Sequence, residues 1–231
     1  HQHLILLTSF HTMENKQISS YGTKTGQISQ IAACIACPKG TYNPDSGANA
    51  LAKCLTCVAG TYNPNTGKTA CIDCPQGSYN TKTGSVVSTD CILCEKGTYS
   101  AEYGSTEDSC ELCSKGSYSS FDGASVCTTC AKGTYSDSTG SSTCTGCPAG
   151  KYSENTGNTD SSNCSPCGAG KYSAKIAATS NTDCTKCPAG TFSTEQVATS
   201  ITTCSKCVAG KYGTEPGGRD DNACKYSKMN F

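Results

Sequence analysis

Residues 147–152 read Cys-Pro-Ala-Gly-Lys-Tyr, and the same text returns as Cys-Pro-Lys-Gly-Thr-Tyr at 37–42, Cys-Pro-Gln-Gly-Ser-Tyr at 74–79 and Cys-Pro-Ala-Gly-Thr-Phe at 187–192. Working outward, the opening Cys of each copy is the second member of a C-x-x-C pair. Ten such pairs occur, at 34/37, 54/57, 71/74, 91/94, 110/113, 127/130, 144/147, 164/167, 184/187 and 204/207, followed by Cys224 alone. A period of 17 to 20 residues held over ten copies is the mark of a repeat array. Gly stands three residues after the second Cys in every copy, from Gly40 to Gly210. Ten retentions imply a backbone conformation or a close approach that a Cβ forbids. Two residues later comes an aromatic ring, Tyr in nine copies and Phe192 in the other. The ring is expected to lie as an apolar plate against a cystine. A second Gly follows in eight copies and reads as a turn; Ala177 and Val197 replace it in two, which are expected to turn differently.

Composition excludes the ordinary alternatives. Leu, Ile, Val and Phe together make 26 of 231 residues, about 11%, too few to close an apolar core. Cys reaches 21, about 9% of the chain, which is the density of a disulfide scaffold. The expected fold is a small disulfide-rich repeat: an elongated, solenoid-like rod of short β-hairpins with little regular secondary structure and no central hydrophobic core. The 18 basic residues balance 18 acidic ones and are scattered singly, so no stripe is laid out for a nucleic acid. Only Arg219 is Arg among the basic residues, which fits the AT-rich coding of many protists.

Four segments are expected: a leader or assembly segment at 1–15, a degenerate repeat zero at 16–36, ten tandem cysteine-rich repeats at 37–224 and a polar tail at 225–231. Repeat zero is recognised because Ser20-Tyr21-Gly22-Thr23-Lys24-Thr25-Gly26 mirrors Ser78-Tyr79-Asn80-Thr81-Lys82-Thr83-Gly84. Lys16 then takes the place of its opening Cys. The leader holds His1, His3 and His11 and an apolar run, Leu4, Ile5, Leu6 and Leu7 with Phe10, which are the candidate assembly residues. That run is too short to span a bilayer. The chain reads as a processed portion of a secreted protein whose export signal lies outside it.

Counting constrains the bridges. If the second Cys of each pair closes on the first Cys of the next, Cys37–Cys54, Cys57–Cys71, Cys74–Cys91, Cys94–Cys110, Cys113–Cys127, Cys130–Cys144, Cys147–Cys164, Cys167–Cys184, Cys187–Cys204 and Cys207–Cys224 consume twenty thiols. Cys34 is left over, unpaired or bonded to another chain. Bridging inside each C-x-x-C is the alternative; it would strand Cys224 and leave the hairpins open. Zinc is the other rival, because successive C-x-x-C pairs approach the spacing of knuckles. The odd count and the sameness of every unit argue for cystines, so neither structural zinc nor another cofactor is expected.

The motif C-P-x-G-[TSK]-Y, a short loop, then C-x-x-C resembles the cysteine-rich repeats of ephrin receptors and the growth-factor-receptor superfamily. It also resembles the first submodule of tumour-necrosis-factor-receptor repeats. Similar arrays occur in surface and secreted proteins of ciliates and flagellates. The resemblance covers residues 37–224 and lacks the doubly bridged second submodule of the cytokine receptors. It implies an extracellular module, secreted or at a cell surface, and leaves receptor, antigen and structural protein all open.

Catalysis has little material, since no His lies in the array to serve a nucleophile. Asn163-Cys164-Ser165 is the sole N-x-[ST] sequon, making Asn163 the glycosylation candidate. Exposed Ser and Thr are candidates for O-linked glycans. Arg219-Asp220-Asp221-Asn222 reads as a polar turn or a weak calcium candidate. The central residues of the pairs drift from apolar (Ile35, Leu55, Ile72, Ile92, Leu93, Leu112) to polar along the chain, so the N-terminal half is expected to show an apolar contact stripe. The function read from these features is an extracellular structural repeat protein that associates with itself, head-to-tail or laterally, in a coat, filament or appendage. The alternative is a receptor-like or antigenic ectodomain. An enzyme is not expected.

Overall fold

The computed structural model describes residues 20–21, 35–45 and 54–226. The leader, Cys34 and the tail beyond Tyr226 lie outside the described residues. Within them, eleven two-stranded antiparallel ladders follow one another in chain order, each strand two residues long. The first strand of each is the dipeptide ending in the aromatic, and the second is the pair of residues between the two cysteines of a C-x-x-C, or, in the last ladder, the pair after Cys224. Thus Thr41–Tyr42 pairs with Leu55–Thr56, and Tyr42 stands opposite Leu55. The same register recurs from Tyr62 opposite Ile72 to Tyr212 opposite Lys225. Repeat zero obeys it as well, with Tyr21 opposite Ile35.

Ten disulfides close the hairpins, Cys37–Cys54 through Cys207–Cys224, each joining one pair's second Cys to the next pair's first. Loop length is absorbed locally. In the five described loops whose bridged cysteines are 17 apart, a single 3₁₀ turn precedes the closing Cys, as at Ser161–Asn163 and Asn181–Asp183. Where they are 14 apart, no such turn is formed. Asp160, Ser180, Ser200 and Asp220 cap four of these turns through their side chains, whereas the turn at Ser88–Asp90 forms behind Val87 without such a bond.

The chain divides into two compact units, one running to Leu93 and including Ala101–Ser109, the other formed by Cys94–Ser100 and the chain from Cys110 onward. Among the described residues neither has an apolar core. The buried apolar residues are cysteines and three alanines, with no Leu, Ile, Val or Phe among them. The aromatic rings, expected as the buried plates, stay half-buried, and Tyr212 is exposed. What is fully buried instead is the second Cys of every pair but the last, where Cys207 is half-buried, and the small polar residue just after the ring in the same nine copies. Asn43, Asn63, Asn80, Ser100, Ser119, Ser136, Ser153, Ser173 and Ser193 occupy that place, each at most 3% exposed.

Candidate interaction surface

Backbone amides give the reason for this burial. In the second unit, the Ser136 N–H donates to the carbonyl of Asn158 in the next repeat, while the Ser136 carbonyl accepts from Gly116 in the repeat before. The equivalent bonds run through the first unit, where the Asn63 N–H donates to Ser85 and the Asn63 carbonyl accepts from Gly40. A small side chain lets the neighbouring backbones come this close. Its own polar group must then be satisfied inside: Asn63 Nδ2 donates to the Thr41 carbonyl at 2.7 Å, and its Oδ1 accepts from the Asn65 amide at 3.1 Å. Each repeat also returns a bond, as when the Gly157 N–H donates to the Cys130 carbonyl at 2.8 Å.

A second rule links repeats two apart. A Cβ added to Gly150 (φ +78°) would run into the carbonyl of Val197, the second-turn residue two repeats on. The same holds for Gly116 against Gly157 and for Gly40 against Gly84. The invariant glycine therefore serves both a left-handed φ and a close approach. Ala177 and Val197 do not turn differently, contrary to the sequence expectation. They adopt φ +56° and +63°, in the left-handed region used by the glycines they replace. Their amides keep the bonds to Cys147 and Cys167 that the turn provides. Backbone pairing between repeats outweighs the steric preference of the two side chains.

The hairpins also present an outer face, on which each ring has the first residue of the following C-x-x-C as its cross-strand neighbour. In the first unit these neighbours are Leu55, Ile72 and Ile92, exposed by 47%, 45% and 46%. Ile35 holds the same register position in repeat zero. In the second unit the position belongs to Glu111, Thr128, Thr145, Ser165, Thr185, Ser205 and Lys225. Tyr99 donates its hydroxyl to Glu111 at 2.9 Å, and that carboxylate raises the phenol's pKa.

The remaining candidates fall as follows. Asn163 is exposed at the end of its 3₁₀ turn, and its Oδ1 accepts from the amides of Thr159 and Asp160, tying the side chain into the cap. Asp220 caps the last 3₁₀ turn, and Asp221 pairs with Lys211 at 2.7 Å. No group of three or more His, Cys, Asp or Glu placed to hold a metal occurs among the described residues. No helix among them is long and apolar enough to cross a membrane. Sequence reasoning missed the buried Asn/Ser position, although its signal was plain: Asn or Ser follows the aromatic in nine copies and Gly213 in the tenth.

Hairpins of this register, stapled in tandem and coupled through their backbones, define a cysteine-rich repeat of the extracellular or cell-surface type. The family model for tyrosine-protein kinase ephrin type A/B receptor-like sequences matches residues 45–91, 116–163, 133–184 and 155–204, together more than half of the chain, and the chain belongs to this family. No curated protein matches it.

Proposed function

We propose that the chain is an extracellular structural repeat protein that associates with itself as a subunit of a surface coat, filament or appendage. The observation that carries this reading is the outer face of the first unit. Three successive repeats expose Leu55, Ile72 and Ile92 where the second unit has Thr or Ser in five repeats, Glu111 in one and Lys225 in one, in the same register of the same bridged hairpin. The hairpin folds with a hydroxyl at that place, so an aliphatic side chain is not required for folding. A run of them on the surface is the mark of a contact. Sedimentation velocity and negative-stain microscopy of the full chain test the reading. Concentration-dependent assemblies are expected, weakened in a Leu55→Asp/Ile72→Asp variant.

The family match favours a second reading, a receptor-like or antigenic ectodomain that binds a soluble protein. A chain that stays monomeric at all concentrations would turn the choice toward it. O-linked sugar would lie on the second unit's exposed hydroxyls, such as Thr128, Thr145 and Thr185, and mass spectrometry of the secreted chain would locate it.

A further inference from the structure

Lysines that stand far apart in the text are brought to one place by the hairpin register. Before Lys151 the charged residues in the described strands are Asp73 and Glu111 alone. From Lys151 onward the described strands hold six lysines and no acid. Five of the six share one face of their hairpins, the face turned away from the ring and its cross-strand neighbour. There Lys151 stands opposite Pro166, Lys171 opposite Lys186, Lys206 opposite Thr191 and Lys211 opposite Tyr226. The acids of these repeats lie outside the strands, where Asp183 and Asp221 hold Lys175 and Lys211. The Lys171 ammonium donates to the neutral Asn181 side chain at 3.0 Å. Those of Lys151, Lys186 and Lys206 have no carboxylate partner among the described residues.

Folding does not require this charge. Like charges directly opposite each other on a ladder are destabilising, and Lys171 and Lys186 are so placed. The Lys186 stem does pack on the second turn at Gly217, its Cδ 3.3 Å from where a Cβ would stand. The Thr129 methyl covers Gly157 in the same way, at 3.2 Å, without an ammonium. At the place of Lys171, five other repeats carry Thr41, Thr61, Thr98, Thr134 and Thr191. We propose that the lysine face of the four hairpins between Lys151 and Tyr226 binds a sulfated polysaccharide. Charge repeated once per hairpin fits a polymer whose own charge repeats, because each further contact is made at high effective concentration. Neighbouring ammonium groups, with three donors each, suit the three free oxygens of a sulfate ester. An extracellular or cell-surface protein meets such polymers in its own compartment. The inference goes beyond the self-association reading and stands whether or not the chain assembles.

The test is binding of the full chain to immobilised dextran sulfate, followed by surface plasmon resonance over a salt series. Affinity should fall steeply as salt rises. Lys171→Thr/Lys186→Thr/Lys206→Thr gives each place a residue that other repeats use in the same register, so the ten disulfides should form, as non-reducing peptide mapping will report. Its affinity should drop by roughly tenfold or more. Lys82→Thr/Lys96→Thr/Lys132→Thr removes the same net charge from exposed lysines outside the strands and should bind like the parent. If that control loses as much, net charge governs binding and the face is not the site. If the parent ignores dextran sulfate, or holds hyaluronan or single-stranded DNA as tightly, a sulfated polysaccharide is the wrong partner. Should the triple variant misform its bridges, Lys171→Gln/Lys186→Gln, which keeps most of both stems, decides: weakened binding supports the proposal and unchanged binding overturns it.

Discussion

Val197 donates its backbone N–H to the Cys167 carbonyl at 3.1 Å, and it does so with φ held at +63°. A β-branched residue rarely enters that region, and for an L-residue it costs about 1–2 kcal/mol. Val197→Gly relieves this strain while returning part of the gain to the unfolded chain as entropy, about 0.4–1 kcal/mol. The variant should be more stable than the parent by roughly 0.5–1 kcal/mol, read as an upward shift of the denaturant midpoint. Ala177→Gly should gain less, because Ala lacks the second branch.

The contact above that turn gives the opposite result. Gly150→Ala places a Cβ against the Val197 carbonyl, and two backbones must separate. The overpacking costs about 1–3 kcal/mol, beyond the penalty for a Cβ at positive φ. Gly190→Ala carries only the second penalty. Thermal unfolding should therefore rank the parent first, Gly190→Ala second and Gly150→Ala last.

Asn63 tests whether the small polar position holds the ladder. Asn63→Ala leaves the Thr41 carbonyl without its side-chain donor and the Asn65 amide without its acceptor. Losing buried partners of this kind costs about 1–3 kcal/mol. Hydrogen exchange of the Gly40 amide, which donates to the Asn63 carbonyl, should accelerate. Asn63→Ser, the residue used in every repeat of the second unit but the last, should recover part of the protection.

Removing the Cys147–Cys164 bridge by a double Ser substitution opens one loop among ten. The loss should be about 3 kcal/mol by the loop-entropy relation. Exchange should quicken first in that loop and its two neighbours. Non-reducing peptide mapping of the parent should recover Cys37–Cys54 through Cys207–Cys224; a majority of intra-pair bridges would overturn the pairing.

Acid should reach one exposed cap late. The Lys175 ammonium, 2.8 Å away, and the amides of Thr179 and Ser180 hold the Asp183 carboxyl below the usual carboxylate range. A depressed folded pKa means that the carboxylate's stabilising contribution is complete above the ordinary Asp value and fades as pH falls through the folded one. NMR titration should place the Asp183 midpoint below that of an unpaired Asp. Lys175→Ala should move it upward.

The hairpins and their tandem order could be read from spacing, because a hairpin closed between one Cys and the next is a local event. Ser20 and Tyr21, which copy Ser78 and Tyr79, pair with Ile35–Ala36 in the same register. Relations between repeats could not be read that way. Nothing in the text of one unit says that Gly150 will meet Val197, because the meeting depends on how units pitch against each other. The substitution of Val for Gly at 197 therefore looked like a change of turn. Only the neighbouring backbones, which demand the same left-handed corner, explain why the turn is kept. The burial of Asn and Ser escaped for a related cause: polarity suggested solvent, whereas small size and backbone proximity decide the position.

The pairing of an invariant glycine with a turn two repeats on, as between Gly116 and Gly157, has a consequence for how such a chain can change over generations. A unit is recognised by backbone groups that nearly every other unit also carries, so an unequal exchange that copies or deletes one whole period leaves each junction as good as before. Point changes inside a unit are judged by three neighbours, and a shift of one residue in the spacing of glycine and cysteine spoils contacts in both directions. Variation in the number of periods should be common among natural versions of this chain, and variation within the C-x-x-G frame rare. Sequencing the locus from several isolates would measure both.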